Sequence, residues 1–387
     1  MRNASSTRKK ILAAAALAAA FLGGAAGRLS GTCGPFLDVA PDAFCPFVLE
    51  VFTLAITTGT TATTYDPTSP VTRLQMAAFL SRSVDAVLTR SSRAAALNQF
   101  WTTQNESVLG LTTATPGPIS VRSDGLDLWV SDVVVGTVRR IRGSDGRLLE
   151  TWTGATYGSG VLAVMGQVLV LGNGVPGNLY RIDPSQPAGA VTTVATNVGI
   201  YPLSLDFDGE RIWTANQGSI SIVTPGPAAP WTVTTVSVGF MRPYGPVYDG
   251  SSVWISDNLR GALLRVDTAG SILQTVTIGA TSRYPVFDGT NIWVPSSDSV
   301  VVVRASSGAV LQTLTGNGLS SPLSAAFDGR RVLVTNPLAN SVSLWKAADM
   351  TPLGSFPTGT SSEPYIACSD GANFFITMPE AEKLARF

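Results

Sequence analysis

Five of the eight tyrosines in this chain, Tyr157, Tyr201, Tyr244, Tyr284 and Tyr365, stand shortly ahead of short apolar runs, and Arg242, Arg283 and Glu363 lie within two residues of the last three. Aromatic rings stack on the flat apolar faces of a ligand, while guanidinium, amide and carboxylate groups orient it through hydrogen bonds. A second polar set follows other apolar runs: Asp132, Asn173, Asn216, Asp257, Asn258, Asp298, Asn336 and Glu380. Gathered around one opening, the two sets suit a glycan, a peptide or a protein surface. The alternative is that the tyrosines pack and the Asn and Asp residues hold turns.

Catalytic chemistry is narrowed by one absence. The 387 residues contain no histidine, which excludes Ser-His-Asp and Cys-His triads, His-ligated zinc or copper and a haem with a His axial ligand. The acids, bases and electrophiles left are Asp, Glu, Tyr and Arg, so a carboxylate-based glycan hydrolase or lyase is the enzymatic alternative. The chain has no Walker loop, Cys-x-x-Cys pair or nucleophile elbow, and no metal or other cofactor is expected. Lys and Arg balance Asp and Glu at 26 each, which gives nucleic acid no basic surface to bind.

The cysteines and the N-terminus speak to location. Residues 1–10 carry Arg2, Arg8, Lys9 and Lys10, Ile11 to Leu22 is an unbroken apolar run, and Gly24 to Gly27 are small. This is the pattern of a secretory signal peptide over residues 1–27. Its removal leaves 22 basic against 26 acidic residues, a net charge of −4. Export permits disulfides, and Cys33 and Cys45, twelve positions apart, are expected to pair. Cys368 remains as a buried, inert thiol. The expected location is extracytoplasmic: secreted or at a bacterial cell surface.

The elements that carry these residues repeat. Asp-Gly pairs begin at Asp124, Asp208, Asp249, Asp288, Asp328 and Asp370, with Met165-Gly166 filling the gap, at intervals of 41, 43, 41, 39, 40 and 42 residues. An apolar triplet follows each pair, as in Leu128-Trp129-Val130 and Ile292-Trp293-Val294. Asp-Gly between two β-rich runs is a hairpin signal, and a period near forty is the mark of a propeller. Within one unit the expected strands are 323–327, 331–335, 341–345 and 353–358. The fold class is therefore mainly β, a monomeric seven-bladed β-propeller over residues 99–387 with a small N-terminal helical module. The last unit ends at Phe387 without an outer strand. A segment within 99–113, such as 100–103 or 107–111, is expected to close the ring. The aspartates spread around such a ring and cannot converge on one calcium ion. Trp129, Trp213, Trp254 and Trp293 are expected to pack between blades.

Val334-Thr335-Asn336, followed by Asn340 to Leu344, Gly359 and Pro364, resembles the YVTN-type propeller repeat, a relative of the NHL-type repeats. The resemblance covers residues 113–387 and implies an extracytoplasmic surface protein. Propellers of this kind bind ligands at one end of the central channel. That places Tyr201, Arg242, Tyr244, Asp257, Asn258, Arg283, Tyr284, Asn336, Glu363 and Tyr365 as the expected contacts of a non-catalytic binding module.

Residues 28–85 form the second module, with a helical linker over 86–98 leading out of it. Thr72 and Gln75 have capping-box spacing, and Leu74, Ala77, Ala78, Leu80 and Val84 recur at helical spacing. Phe36, Asp38, Val39, Ile56, Gly59, Tyr65, Pro67, Thr72, Arg73 and Gln75 resemble one repeat of the S-layer homology family. The resemblance implies attachment to a cell-wall or envelope polysaccharide, with Asp38 and Arg73 at the positions that matter. The alternative is a folded spacer.

Overall fold

The structure is a computed structural model that describes residues 33, 35–40, 44–53, 56–90, 102–103 and 110–387. The expected signal peptide and the Phe100-Trp101 part of the expected closing segment lie outside the described residues. The chain divides into two units, Met1–Ser92 and Arg93–Phe387.

In the second unit each Asp-Gly pair turns one strand into the next, and the glycines take φ between +89° and +97°. A Cβ at any of these six positions would meet no atom within 4 Å. Backbone conformation alone therefore selects glycine. Met165 and Gly166 make the equivalent turn with φ of 53° and 67°. Four antiparallel strands per turn build a blade, and seven blades make a β-propeller. The inner strands of blades one to seven are Pro118–Ser123, Gly158–Val164, Ser204–Phe207, Pro243–Tyr248, Val286–Phe287, Ala325–Phe327 and Ala367–Ser369. In blade six the strands run Ala325–Phe327, Arg331–Asn336, Ser341–Lys346 and Pro352–Pro357, within two residues of the boundaries expected from sequence.

Blade seven is closed from the N-terminal side. Gly110–Thr113 pairs antiparallel with Lys383–Arg386, with Gly110 opposite Arg386 and Thr113 opposite Lys383. Thr102–Thr103 adds a fifth, outermost strand. The closing strand thus lies within the expected 99–113 segment. Between blades seven and one the Thr377 hydroxyl donates to the Ile119 carbonyl at 3.2 Å. Elsewhere serines on the inner strands join neighbouring blades: Ser159 donates to the Pro202 carbonyl and Ser204 to the Tyr244 carbonyl, both at 2.8 Å.

The core is a ring of interfaces between blades. Trp129 packs with Val161 and Val170, Trp213 with Val253 and Ile255, Trp254 with Ile292 and Val294, and Trp293 with Val332 and Val334. Burying each such side chain contributes about 1.5–3 kcal/mol. Each indole is also tied to its own turn. Asp124, Asp208, Asp249 and Asp288 accept the Nε1–H of Trp129, Trp213, Trp254 and Trp293 on Oδ2 at 2.7–2.8 Å. The other oxygen accepts the amides two and three residues on, for example Ser251 and Ser252 on Asp249 at 2.8 and 2.7 Å. One carboxylate therefore fixes both the hairpin and the rotamer of the residue that fills the next interface.

In the first unit Cys33 and Cys45 form a disulfide with Cα atoms 5.5 Å apart. Helix α1 is Cys45–Thr53 and α2 is Arg73–Arg90. The capping box forms as expected: the Thr72 amide donates to Gln75 Oε1 at 2.8 Å, and the Gln75 amide to Thr72 Oγ1 at 3.2 Å. Phe36 is fully buried against Phe52 and Tyr65, with ring centroids 5.1 and 5.4 Å away. Among the described residues no helix is long and apolar enough to cross a membrane.

Candidate functional site

The tyrosines that lead into the inner strands divide into two kinds. Tyr244, Tyr284 and Tyr365, from blades four, five and seven, converge: the Tyr244 and Tyr284 rings are 5.1 Å apart at 58°, and Tyr365 is near enough to both to act on them electrostatically. The Arg242 guanidinium lies 5.7 Å from the centroid of the Tyr244 ring, a cation–π contact that keeps the charge at the rim. Tyr157 and Tyr201 adopt φ of 54° and 45° and are exposed. Such a conformation in a bulky non-glycine residue is held by the surrounding structure; at Tyr201 the backbone amide donates to the Gly174 carbonyl at 3.0 Å.

Tyr284 is wedged between blades. Its amide donates to the Leu323 carbonyl and its carbonyl accepts the Ala325 amide, both at 3.1 Å. Burial, then the neighbouring Tyr365 and Tyr244, push its hydroxyl well above the ordinary tyrosine range. Burial also raises Tyr365. Both phenols are protonated at neutral pH, so they act as hydrogen-bond donors and stacking surfaces and not as bases.

Arg283 and Glu363 sit beside this cluster with different attachments. Arg283 Nη1 donates to the Ser321 carbonyl at 3.3 Å. Glu363 is exposed at φ 41°, with its amide donating to Asn340 Oδ1 at 2.9 Å.

Three expected contacts have another task. Asp257 is fully buried and accepts the amides of Met241, Arg242 and Arg260 at 2.7, 2.9 and 3.2 Å. It therefore holds the loop that presents Arg242 and Tyr244. Asn258 donates from Nδ2 to the Ser282 carbonyl at 3.2 Å, holding the loop that presents Arg283 and Tyr284. Asn336, also fully buried, accepts the Ser320 amide and donates to Ser343 Oγ. Burial with satisfied partners removes these three side chains from any ligand surface, so they are positioning residues.

In the first unit both Asp38 oxygens accept backbone amides, Tyr65 at 2.9 Å and Asp66 at 2.7 Å. Those amides hold its carboxyl below the usual range. Asp38 therefore anchors the loop that returns to α2. Arg73 opens α2 and is exposed.

The channel itself is a cavity of about 400 Å³ lined by the inner strands of all seven blades, with Tyr284 and Pro285 among the lining residues. It contains polar groups that sequence reading did not single out. Arg122 and Asp206 sit at equivalent places in blades one and three, two residues ahead of the turn aspartates Asp124 and Asp208. Asp206 accepts the Tyr248 amide at 2.8 Å. Burial raises its carboxyl despite the opposing charge of Arg122. At the same register in blade seven, burial pushes the Cys368 thiol up to about 12. That makes it inert, as expected. The signal for the two charges was present in the repeat alignment, as charged residues in a position that is otherwise uncharged.

No family model matches the chain, and no curated protein matches it. Solved structures do. The chain is similar to virginiamycin B lyase from Staphylococcus aureus at 15% identity and a TM-score of 0.60, over 72% of this chain and 98% of that one. A streptogramin B lyase matches at 13% identity and a TM-score of 0.61, over 73% and 99%. The WD40 propeller domain of Doa1 matches at 12% identity and a TM-score of 0.60, over 74% and 97%. At these identities the likeness is one of fold, and that fold serves lyases and WD40 domains alike.

Proposed function

We propose that this is an exported, surface-associated protein whose YVTN-type propeller is a non-catalytic binding module for a glycan, peptide or protein at the tyrosine-lined mouth. The observation that carries this reading is the convergence of Tyr244, Tyr284 and Tyr365 from three blades with Arg242 over one of the rings. Protonated phenols offer stacking faces and hydrogen-bond donors, which are binding groups. Among the described lining residues of the channel Asp206 is the sole carboxylate, whereas glycoside hydrolysis by carboxylates uses two. The Cys33–Cys45 disulfide supports an oxidising, extracytoplasmic location. The N-terminal unit, by its resemblance to an S-layer homology repeat, is assigned to attachment on an envelope polysaccharide through the surface that includes Arg73.

The test is the mature full-length chain on glycan and peptide arrays, repeated with Tyr201→Ala/Tyr244→Ala. Tyr284 is left in place because it bridges blades five and six. Each lost stacking contact weakens binding by about 1 kcal/mol, so the double variant should bind the array hits about thirtyfold more weakly at an unchanged Tm. Retained binding would refute the mouth as the site. For the first unit, co-sedimentation with purified envelope polysaccharide should be weakened by Arg73→Ala; a chain that does not sediment with the polysaccharide is a spacer there.

A further inference from the structure

The channel lining is electrically lopsided. At the register two residues ahead of each turn, blades four to seven carry Val247, Val286, Ala326 and Cys368, and blade two carries Ala163. Blades one and three carry Arg122 and Asp206, both on the wall of the same cavity. Charged groups inside a protein are costly unless paired and hydrogen-bonded. These two act on each other through charge alone, without a hydrogen bond between them, and no ion pair within 4 Å joins them among the described residues. Arg122 is exposed to the solvent of the channel, so its planar fork of N–H donors is presented to whatever enters. Asp206 receives the Tyr248 amide on Oδ2, and the Phe207 amide also bears on its carboxylate.

Two opposite charges that served only each other would close to contact. Held apart across a small cavity, they match a molecule that bears both complementary charges. We propose that the propeller channel binds a small zwitterion of the amino-acid type, its carboxylate on Arg122 and its ammonium group on Asp206. A cavity of about 400 Å³ lies in the range of small-ligand sites. The guanidinium fork takes a carboxylate in two parallel hydrogen bonds. Serines lining the cavity are engaged in joining blades, as Ser159 and Ser204 are through Pro202 and Tyr244. The two charges therefore set the ligand's orientation, and Val247 and Val286 leave apolar room for its side chain. A ligand with only one of the charges leaves the other protein charge uncompensated. The site uses none of the residues changed in the test of the mouth, so the two readings fail separately.

The experiment uses the full mature chain, a panel of free L-amino acids, and their N-acetyl and carboxamide derivatives. Binding is read by calorimetric titration and by the shift in Tm. At least one amino acid should give a saturable heat and raise Tm in a concentration-dependent way. Its two derivatives should do neither. Arg122→Gln, a change at an exposed side chain, should weaken binding about tenfold or more, and Asp206→Asn should do the same without lowering Tm. The proposal is overturned if no amino acid gives a binding heat or raises Tm at up to about 10 mM, a limit already weaker than a built site. It is also overturned if the derivatives bind equally, or if Arg122→Gln binds as the parent does.

Discussion

Replacing Asp249 by Asn tests the tie between turn and core. The change keeps one side-chain oxygen for the Ser251 and Ser252 amides but sets an NH2 group against the Trp254 Nε1–H, now 2.8 Å from Oδ2. Trp254 is 0% exposed, so water cannot replace the lost acceptor. An unsatisfied buried donor costs about 1–3 kcal/mol. For a propeller of this size that corresponds to a fall in Tm of about 2–8 °C. Asp370 is the internal control: Phe375 occupies the place of the tryptophan, so Oδ2 has no indole to accept and takes Asn373 Nδ2 at 3.3 Å. Asp370→Asn should therefore cost less than about 1 kcal/mol. Thermal unfolding of the two variants, with a double-mutant cycle of Asp249→Asn and Trp254→Phe, separates the indole bond from the turn. Equal falls in Tm for the two Asn variants, or a coupling energy near zero, would refute the reasoning and leave the aspartates as turn residues only.

Three further outcomes follow from the same structure. Asp249 is held below the ordinary carboxylate range because the Trp254 indole and the Ser252 and Ser251 amides outweigh the burial that raises it. Its contribution is present above the unfolded value of about 3.9 and is lost as pH falls through the lower folded value, so Asp249→Asn should flatten the acid limb of a Tm-against-pH curve. Asp206 has the opposite sign: its folded value is raised by burial, stability falls as pH rises through it, and Asp206→Asn should not lower Tm at pH 7. Reducing the Cys33–Cys45 bridge, which spans 12 positions, should destabilise the first unit by about 2–3 kcal/mol, and a mature chain that labels three thiols without reduction would refute the bridge. A chain beginning at residue 114 lacks the Gly110–Thr113 strand and exposes the Lys383–Arg386 edge, so it should aggregate where one beginning at residue 99 stays monomeric; equal solubility and Tm would refute this account of closure.

The blades were legible because a tight turn at positive φ needs glycine, and seven such demands at a near-constant spacing are visible without any structure. Ring closure was legible as a shortage, since blade seven had no residues left for its outer strand. The strand that fills it, Gly-Leu-Thr-Thr over 110–113, is too short for its alternation to be distinctive. The five-residue spacing from Asp249 to Trp254 recurs in three other blades. The turn and the indole were nevertheless read as separate features, because only the twist of the second strand brings the ring back over its own hairpin. At the mouth, residue type misled. Asp and Asn suit a ligand as well as they suit a loop, and burial, which sequence does not display, assigns Asp257, Asn258 and Asn336 to loops. Convergence was likewise invisible: repeat position alone gives Tyr201 and Tyr284 the same standing, whereas one is exposed and the other bridges two blades.

The seam in blade seven also sets an order of events in time. Thr377 and Ile119, which meet where blade seven joins blade one, are 258 positions apart, and bringing such distant segments together costs about 5 kcal/mol of chain entropy plus a constant. A chain made from its N-terminus releases Gly110–Thr113 well before Lys383–Arg386. The early strand must travel with its hydrogen-bonding edge vacant while six blades stack beside it, and the circle is completed only when the final strand arrives. For that interval the growing protein is an open arc with two unsatisfied ends, and a neighbouring arc could supply the missing edge as readily as its own tail. Correct assembly is therefore a contest between intramolecular arrival and intermolecular encounter, and slow synthesis or crowding favours the wrong partner.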